Sequence, residues 1–254
     1  MLIRSLLLLA LVWPGAVLAD EIHVVSSGGF AAAYKALAPD FERATGHTLV
    51  TAWGPSMGAT VDAVPQRLAR GEPIDVVIMV GYALGQLVDA GKAGDRTDLA
   101  RSSIGVVVRA GSPVPDVSTV DALRRALLAA PSIAYSDSAS GIYIEHEMFR
   151  KMGIEDQVRG RARMIPAEPV GAVVARGEAA IGFQQISELQ PIPGITLAGP
   201  LPEGVQQVTI FSGGVLTASA HKEAARALLK FLASPAAADA VRRSGMDPIT
   251  ASGS

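Results

Sequence analysis

The sequence predicts an α/β protein built on parallel sheets, and three observations carry that reading. Segments with strand and helix character alternate along the whole chain. Ile74-Asp75-Val76-Val77-Ile78-Met79 is nearly continuous in apolar residues, as a parallel strand covered on both faces requires. Three loops that follow strands, at Ser26–Gly29, Gly54–Gly58 and Ser136–Gly141, consist almost entirely of small residues. Ligands of open α/β sheets bind beyond the carboxyl ends of the strands, so these loops together predict a cleft for an anion.

In chain order, Glu21 to Val25 alternates and is β-branched, which predicts the first strand. Ser26-Ser27-Gly28-Gly29-Phe30 reads as a tight corner. Ala31 to Thr45 has helical spacing, with Tyr34, Leu37, Ala38 and Phe41 on one face and Gly46 as the stop. Thr48 to Trp53 predicts a strand, and Ala59 to Arg70 a helix that Pro65 kinks or splits. The apolar strand at Ile74 to Met79 precedes a short helix from Ala83 to Ala90. Ile104 to Arg109 predicts a strand, a helix follows from Asp121 to Ala130, and a short buried strand opens the stretch that begins at Ser132. Further strands are predicted at Ala162 to Ile165, Ala179 to Phe183 and Val208 to Val215. Helices are predicted at Ile142 to Met152, Val170 to Arg176, Ala220 to Ala233 and Ala236 to Ser244.

The stretch from Ser132 to Tyr143 is the most informative. It reads as a buried strand, a turn of hydroxyl residues, and a helix start. Asp137, Ser138 and Ser140 are good helix-capping types, because their oxygens accept from the free amides of a first turn. Small residues also let a ligand reach those amides at the positive end of the helix. A capped turn that binds nothing has the same residues; it is the repetition of such loops that favours a cradle.

Composition narrows the function. The 254 residues are 49% hydrophobic and 18% charged, enough for a sizeable core. A net charge of -2 offers no electrostatic footprint for nucleic acid. With no cysteine there is no disulfide, thiolate metal site or cysteine nucleophile. His23, His47, His146 and His221 form no paired metal motif, so neither metal nor cofactor is expected. Residues 1–19 read as an export signal: Arg4, an apolar run from Leu6 to Val12, and Val17-Leu18-Ala19 before the cut. The run is shorter than the ~20 residues of a membrane span. A periplasmic, monomeric protein is expected.

The order of elements resembles the type II periplasmic solute-binding fold, specifically the molybdate-binding-protein-like group. The resemblance rests on Ser26-Ser27-Gly28-Gly29, Gly54-Pro55-Ser56-Met57-Gly58, Arg70 to Val76, the Ser136–Gly141 loop, Pro166-Ala167-Glu168, Arg176 to Ala179 and Ala224 to Pro235. It covers nearly the whole mature chain. It implies two α/β lobes, 20–104 with 209–254 and 105–208, joined by crossing strands near Ile104–Arg109 and Val208–Val215. The chain departs from the molybdate binders where Gln184-Gln185 stands in place of that group's tyrosine. The phrases Ser-Ser-Gly-Gly-Phe, Gly-Pro-Ser-Met-Gly, Ser-Asp-Ser-Ala-Ser-Gly and Gly-Phe-Gln-Gln are closer to a branch of enzymes on this fold, the periplasmic aconitate isomerases.

Two functions follow. An isomerase would move an allylic proton between trans- and cis-aconitate, using a base and donors for the developing charge. Its substrate would rest on Ser27, Gly28, Ser56, Met57, Ser138, Ser140, Gly141, Gln184 and Gln185. Tyr143, His146 and Glu147 share one side of the helix leaving the cleft, at spacings i, i+3 and i+4, and are its catalytic candidates. Tyr82, after another strand, is a further candidate. A transport receptor would use the same cradle to carry an oxyanion or organic acid to an inner-membrane ABC permease, without chemistry.

Overall fold

The computed structural model describes residues 19–250. The export-signal reading therefore falls, but for Ala19, outside the described residues. The chain begins with β1 (Glu21–Ser26), α1 (Gly28–Thr45), β2 (Thr48–Trp53), α2 (Val64–Ala69), β3 (Val76–Val80), α3 (Gly81–Asp89) and β4 (Thr97–Ser102). A middle section follows: β5 (Ile104–Arg109), α4 (Val120–Ala129), β6 (Ile133–Ser136), α5 (Ala139–Tyr143), a π-helical turn (Ile144–Met148), α6 (Phe149–Lys151), α7 (Glu155–Val158), β7 (Ala162–Ile165), α8 (Val170–Ala175), β8 (Ile181–Gln185), α9 (Ile186–Leu189) and β9 (Ile195–Pro200). The chain ends with β10 (Thr209–Val215), α10 (Lys222–Leu232), α11 (Ala238–Arg243) and β11 (Asp247–Pro248).

These strands form two sheets. One has the order β11-β4-β10-β3-β1-β2 and the other β7-β6-β8-β5-β9. The α/β class holds, but the sheets are mixed rather than parallel. β1 runs parallel to β2 and β3, and β6 parallel to β7 and β8, while β10 and β5 enter antiparallel. Each of these two strands follows a passage of the chain from one sheet to the other, and arrives reversed. Apolar clusters cover both faces of each sheet: Phe30, Tyr34, Phe41 and Leu228 on one side of the first, Val77, Met79 and Leu84 on the other.

The passages between sheets are shorter than expected. β4 and β5 are separated by Ser103 alone, and the return runs through residues 201–208. Ile104–Arg109 and Thr209–Val215 lie wholly within their own sheets; the crossings are the residues that precede them. Gln206 clasps the two passages together. Its side-chain oxygen accepts from the Ile104 amide at 2.9 Å, and its nitrogen donates to the Ile104 carbonyl at 3.0 Å. The Tyr143 hydroxyl holds the neighbouring Val205 carbonyl at 2.8 Å.

Several boundaries differ from the sequence reading for local reasons. α1 starts at Gly28, so the glycine pair forms its first turn rather than a corner. α2 is only Val64–Ala69, because Pro65 opens the helix where an amide needs no partner instead of kinking it. β4 and β9 are strands that the sequence conceals, β4 behind Asp98 and Arg101 and β9 behind its Gly-Pro end. The clasp gives a test. Gln206→Leu leaves the Ile104 N–H without its partner, while the carbonyl keeps the Leu201 amide at 2.9 Å, and should cost about 1–2 kcal/mol, read as a lower urea midpoint at unchanged slope.

Candidate active site

A cavity of about 430 Å³ lies between the two sheets and is lined from both. The first sheet's side supplies Ser27, Gly28 and Gly29, the Gly54–Met57 loop, Val80 and Phe211; the second supplies Ser136 to Ala139, Ala167 to Pro169, Gln184, Gln185 and Glu188. The three small-residue loops thus converge, as their positions after β1, β2 and β6 require.

Two helix starts face this space. α1 and α5 begin after Ser27 and Ser138, and neither side chain caps its own helix. First-turn amides, which lack partners within a helix, are left for a ligand. Among the described residues, the Ser27 hydroxyl is buried with no hydrogen-bond partner, and so is the side-chain oxygen of Gln185, whose nitrogen donates to Thr209 at 2.9 Å. A polar atom kept dry and unpaired at a cavity wall is a group awaiting a ligand. Other polar side chains are already engaged. The Ser56 hydroxyl accepts from the Val80 amide at 3.0 Å, and the Gln184 oxygen accepts from the first amide of α8, at Val170, also at 3.0 Å. Ser136 and Ser138 share a hydroxyl contact of 2.7 Å.

Of the predicted ligand residues, Ser27, Gly28, Ser56, Met57, Ser138, Gln184 and Gln185 line the cavity. Ser140 and Gly141 do not. Ser140 lies behind the wall, 3.2 Å from the Ser136 hydroxyl, and is 1% exposed. Gly141 is there for packing, since a Cβ would fall 1.6 Å from the Ser136 carbonyl oxygen.

The three catalytic candidates are likewise elsewhere. Tyr143 is buried in the apolar core of the second sheet, with its hydroxyl committed to Val205. His146 is largely exposed, and Glu147 is half-exposed and paired with Lys151 at 3.3 Å. Helical spacing put the three on one side, but the core claims Tyr143 and the π turn alters the phase of the residues after it. Tyr82 is exposed outside this cavity.

Sequence reasoning missed Glu188. It sits in the four-residue α9, four positions after Gln184, which belongs to β8, and no periodic pattern marks it. Its carboxyl abuts α1, and burial pushes its pKa up to about 7. The Gln184 side chain and the Gln185 backbone amide draw it part of the way back, and the charge of Asp137 raises it further. The other carboxylates of the wall are occupied: Asp62 pairs with Arg67 at 2.8 Å, Glu168 pairs with Arg176, and Asp137 accepts from the Ala167 amide at 3.0 Å. Ala167 is held there at a φ of 55°, in the left-handed region. Among the described residues, no lysine, arginine or histidine lines the cavity. Positive potential at this site comes from backbone amides.

The profile of bacterial extracellular solute-binding proteins matches residues 22–247. The chain belongs to that family. It is 51% identical over 232 residues to an aconitate isomerase of a Pseudomonas species, spanning 91% of this chain and 88% of the relative. The periplasmic molybdate-binding protein of Azotobacter vinelandii superposes with a TM-score of 0.71 at 21% identity, over 89% of this chain and 98% of that one. The sulfate-binding protein SubI of Mycobacterium tuberculosis gives 0.68 at 18% identity, over 91% and 87%. The two-lobed binding-protein fold expected from the sequence is therefore the fold observed.

Two substitutions separate wall from ligand contact. Ser27→Ala removes a hydroxyl that bonds to nothing in the free protein, so stability should stay within about 0.5 kcal/mol while affinity for a tricarboxylate falls about tenfold, followed by Trp53 fluorescence. Gly141→Ala should do the reverse in kind, lowering stability by at least about 2 kcal/mol through the clash with Ser136, measured by urea denaturation.

Proposed function

We propose that this protein is an aconitate isomerase, interconverting trans- and cis-aconitate in the periplasm by a proton shift that needs no cofactor. The observation that carries this reading is Glu188: a carboxyl set against the first turn of α1 in the wall of a cavity whose donors favour an anion, its pKa raised by burial to about 7. A carrier of anions gains nothing from such a group, whereas a base for carbon acid chemistry needs a pKa near the working pH. The 51% identity to an aconitate isomerase over most of both chains supports the same reading.

In the proposed reaction the substrate carboxylates rest against the first turns of α1 and α5, the Ser27 hydroxyl and the Gln185 amide. The lobes, 20–104 with 209–254 and 105–208, close over them. Ionised Glu188 takes a proton from the methylene carbon. The electron pair of that C–H bond enters the allylic system and places charge on the adjacent carboxylate, which the first-turn amides stabilise. The carbon at the other end of the allyl unit then takes the proton back from Glu188. One C–H bond is broken, one is made, and the double bond moves by one carbon. Glu188 serves both carbons in this scheme because the remaining acids of the wall are held by Arg67, Arg176 and the Ala167 amide.

Membership of a solute-binding family supports a second reading, delivery of an organic acid to a permease. Incubation of the purified protein with trans-aconitate, followed by proton NMR, decides between them. Formation of cis-aconitate is expected; tight binding without turnover would select the carrier. Glu188→Gln should lower kcat by about 10²–10⁴-fold and leave binding intact. Because the ionised form is the active one, kcat/KM should rise with pH and level off above about 7.

A further inference from the structure

We infer that Ser187 and Gly28 are positioning residues for Glu188, fixing its carboxyl against the first turn of α1. The inference rests on the reading of Glu188 as the base. α9, which carries Ser187 and Glu188, follows a strand of the second sheet and sets Leu189 into that sheet's core, but it is also fastened to α1 of the first lobe. The Ser187 side chain is 1% exposed, and its hydroxyl donates to the Gly29 carbonyl of α1 at 2.7 Å. That carbonyl already belongs to a helix, so the bond fastens α9 to α1 without replacing a helical partner. Further along, the Gln190 side-chain nitrogen donates to the Arg243 carbonyl at 3.2 Å. Glu188 thus stands where its own lobe meets α1 of the other.

Gly28 fixes the depth. A Cβ at this position would lie 2.4 Å from the nearer carboxyl oxygen of Glu188. The two groups cannot share the space. The oxygen is the far end of a flexible side chain, so in Gly28→Ala the carboxyl yields and the backbone stays. Gly29 is constrained for a different reason, as its Cβ would strike the Phe211 ring at 2.0 Å. The groups facing Glu188 are Gln184, the Gln185 amide and, as the one charge, Asp137; the first turn of α1 contributes no acidic residue. Displacement from Gly28 moves the carboxyl toward the open cavity and its water, which favours the ionised form.

The experiment titrates Glu188 directly in the full-length mature protein, carrying ¹³C at the glutamate carboxyls and assigned with Glu188→Gln. The wild-type midpoint is expected near 7. In Gly28→Ala and in Ser187→Ala it should fall by about one unit or more toward that of an exposed glutamate. The pH midpoint of kcat/KM should move with it, kcat should drop at least about tenfold with little change in KM, and Ser187→Thr should recover most of the loss. Unchanged midpoints in both variants would overturn the inference. Should Ser187→Ala fail to fold, Gly28→Ala decides alone. A protein whose Glu188 shifts as described but which isomerises nothing would sink the proposed function and leave the positioning intact.

Discussion

A carboxyl group and a multiply charged acid do not share a dry cavity cheaply. Each disfavours the other's ionised form, and the cavity wall adds its own desolvation penalty. Most of the site can be understood as a response to that constraint. The fixed positive potential is carried by the amides at the starts of α1 and α5 rather than by cationic side chains, which would hold Glu188 ionised and depress its basicity. The other acids of the wall are held by Arg67, Arg176 and a backbone amide.

The same constraint explains how a binding-protein fold accommodates chemistry. Convergence of helix starts from two lobes is suited to anions, and the fold is shared with molybdate- and sulfate-binding proteins at low identity. In this chain a glutamate of α9 reaches the cavity, and the absence of a side chain at Gly28 makes room for it. The geometry needs both.

Much of the frame was legible in the sequence because it follows from local rules. The apolar run at Val76–Val80 and the glycine stop after α1 report their elements directly. So did the convergence of Ser27, Ser56 and Ser138, since loops after neighbouring parallel strands share an edge. The side chain proposed as the base was not legible. Helical spacing puts Tyr143, His146 and Glu147 on one side, but it does not foresee the π turn at Ile144–Met148, nor which side of a helix meets the core. The burial of Tyr143 settles that, and it is a tertiary fact. Glu188 was hidden for the opposite reason: a lone glutamate in a four-residue helix has no pattern, and its importance comes from α1, some 160 positions earlier in the chain.

The single residue between β4 and β5 has a consequence for how such a molecule can change. A joint of one residue, with Gln206 bridging to its neighbour, passes torsion straight from one sheet into the other and permits little besides bending about a common axis. The halves are therefore poor interchangeable modules. New ligand preferences on this scaffold would arise by rewriting the rims of a jaw whose pivot is already set.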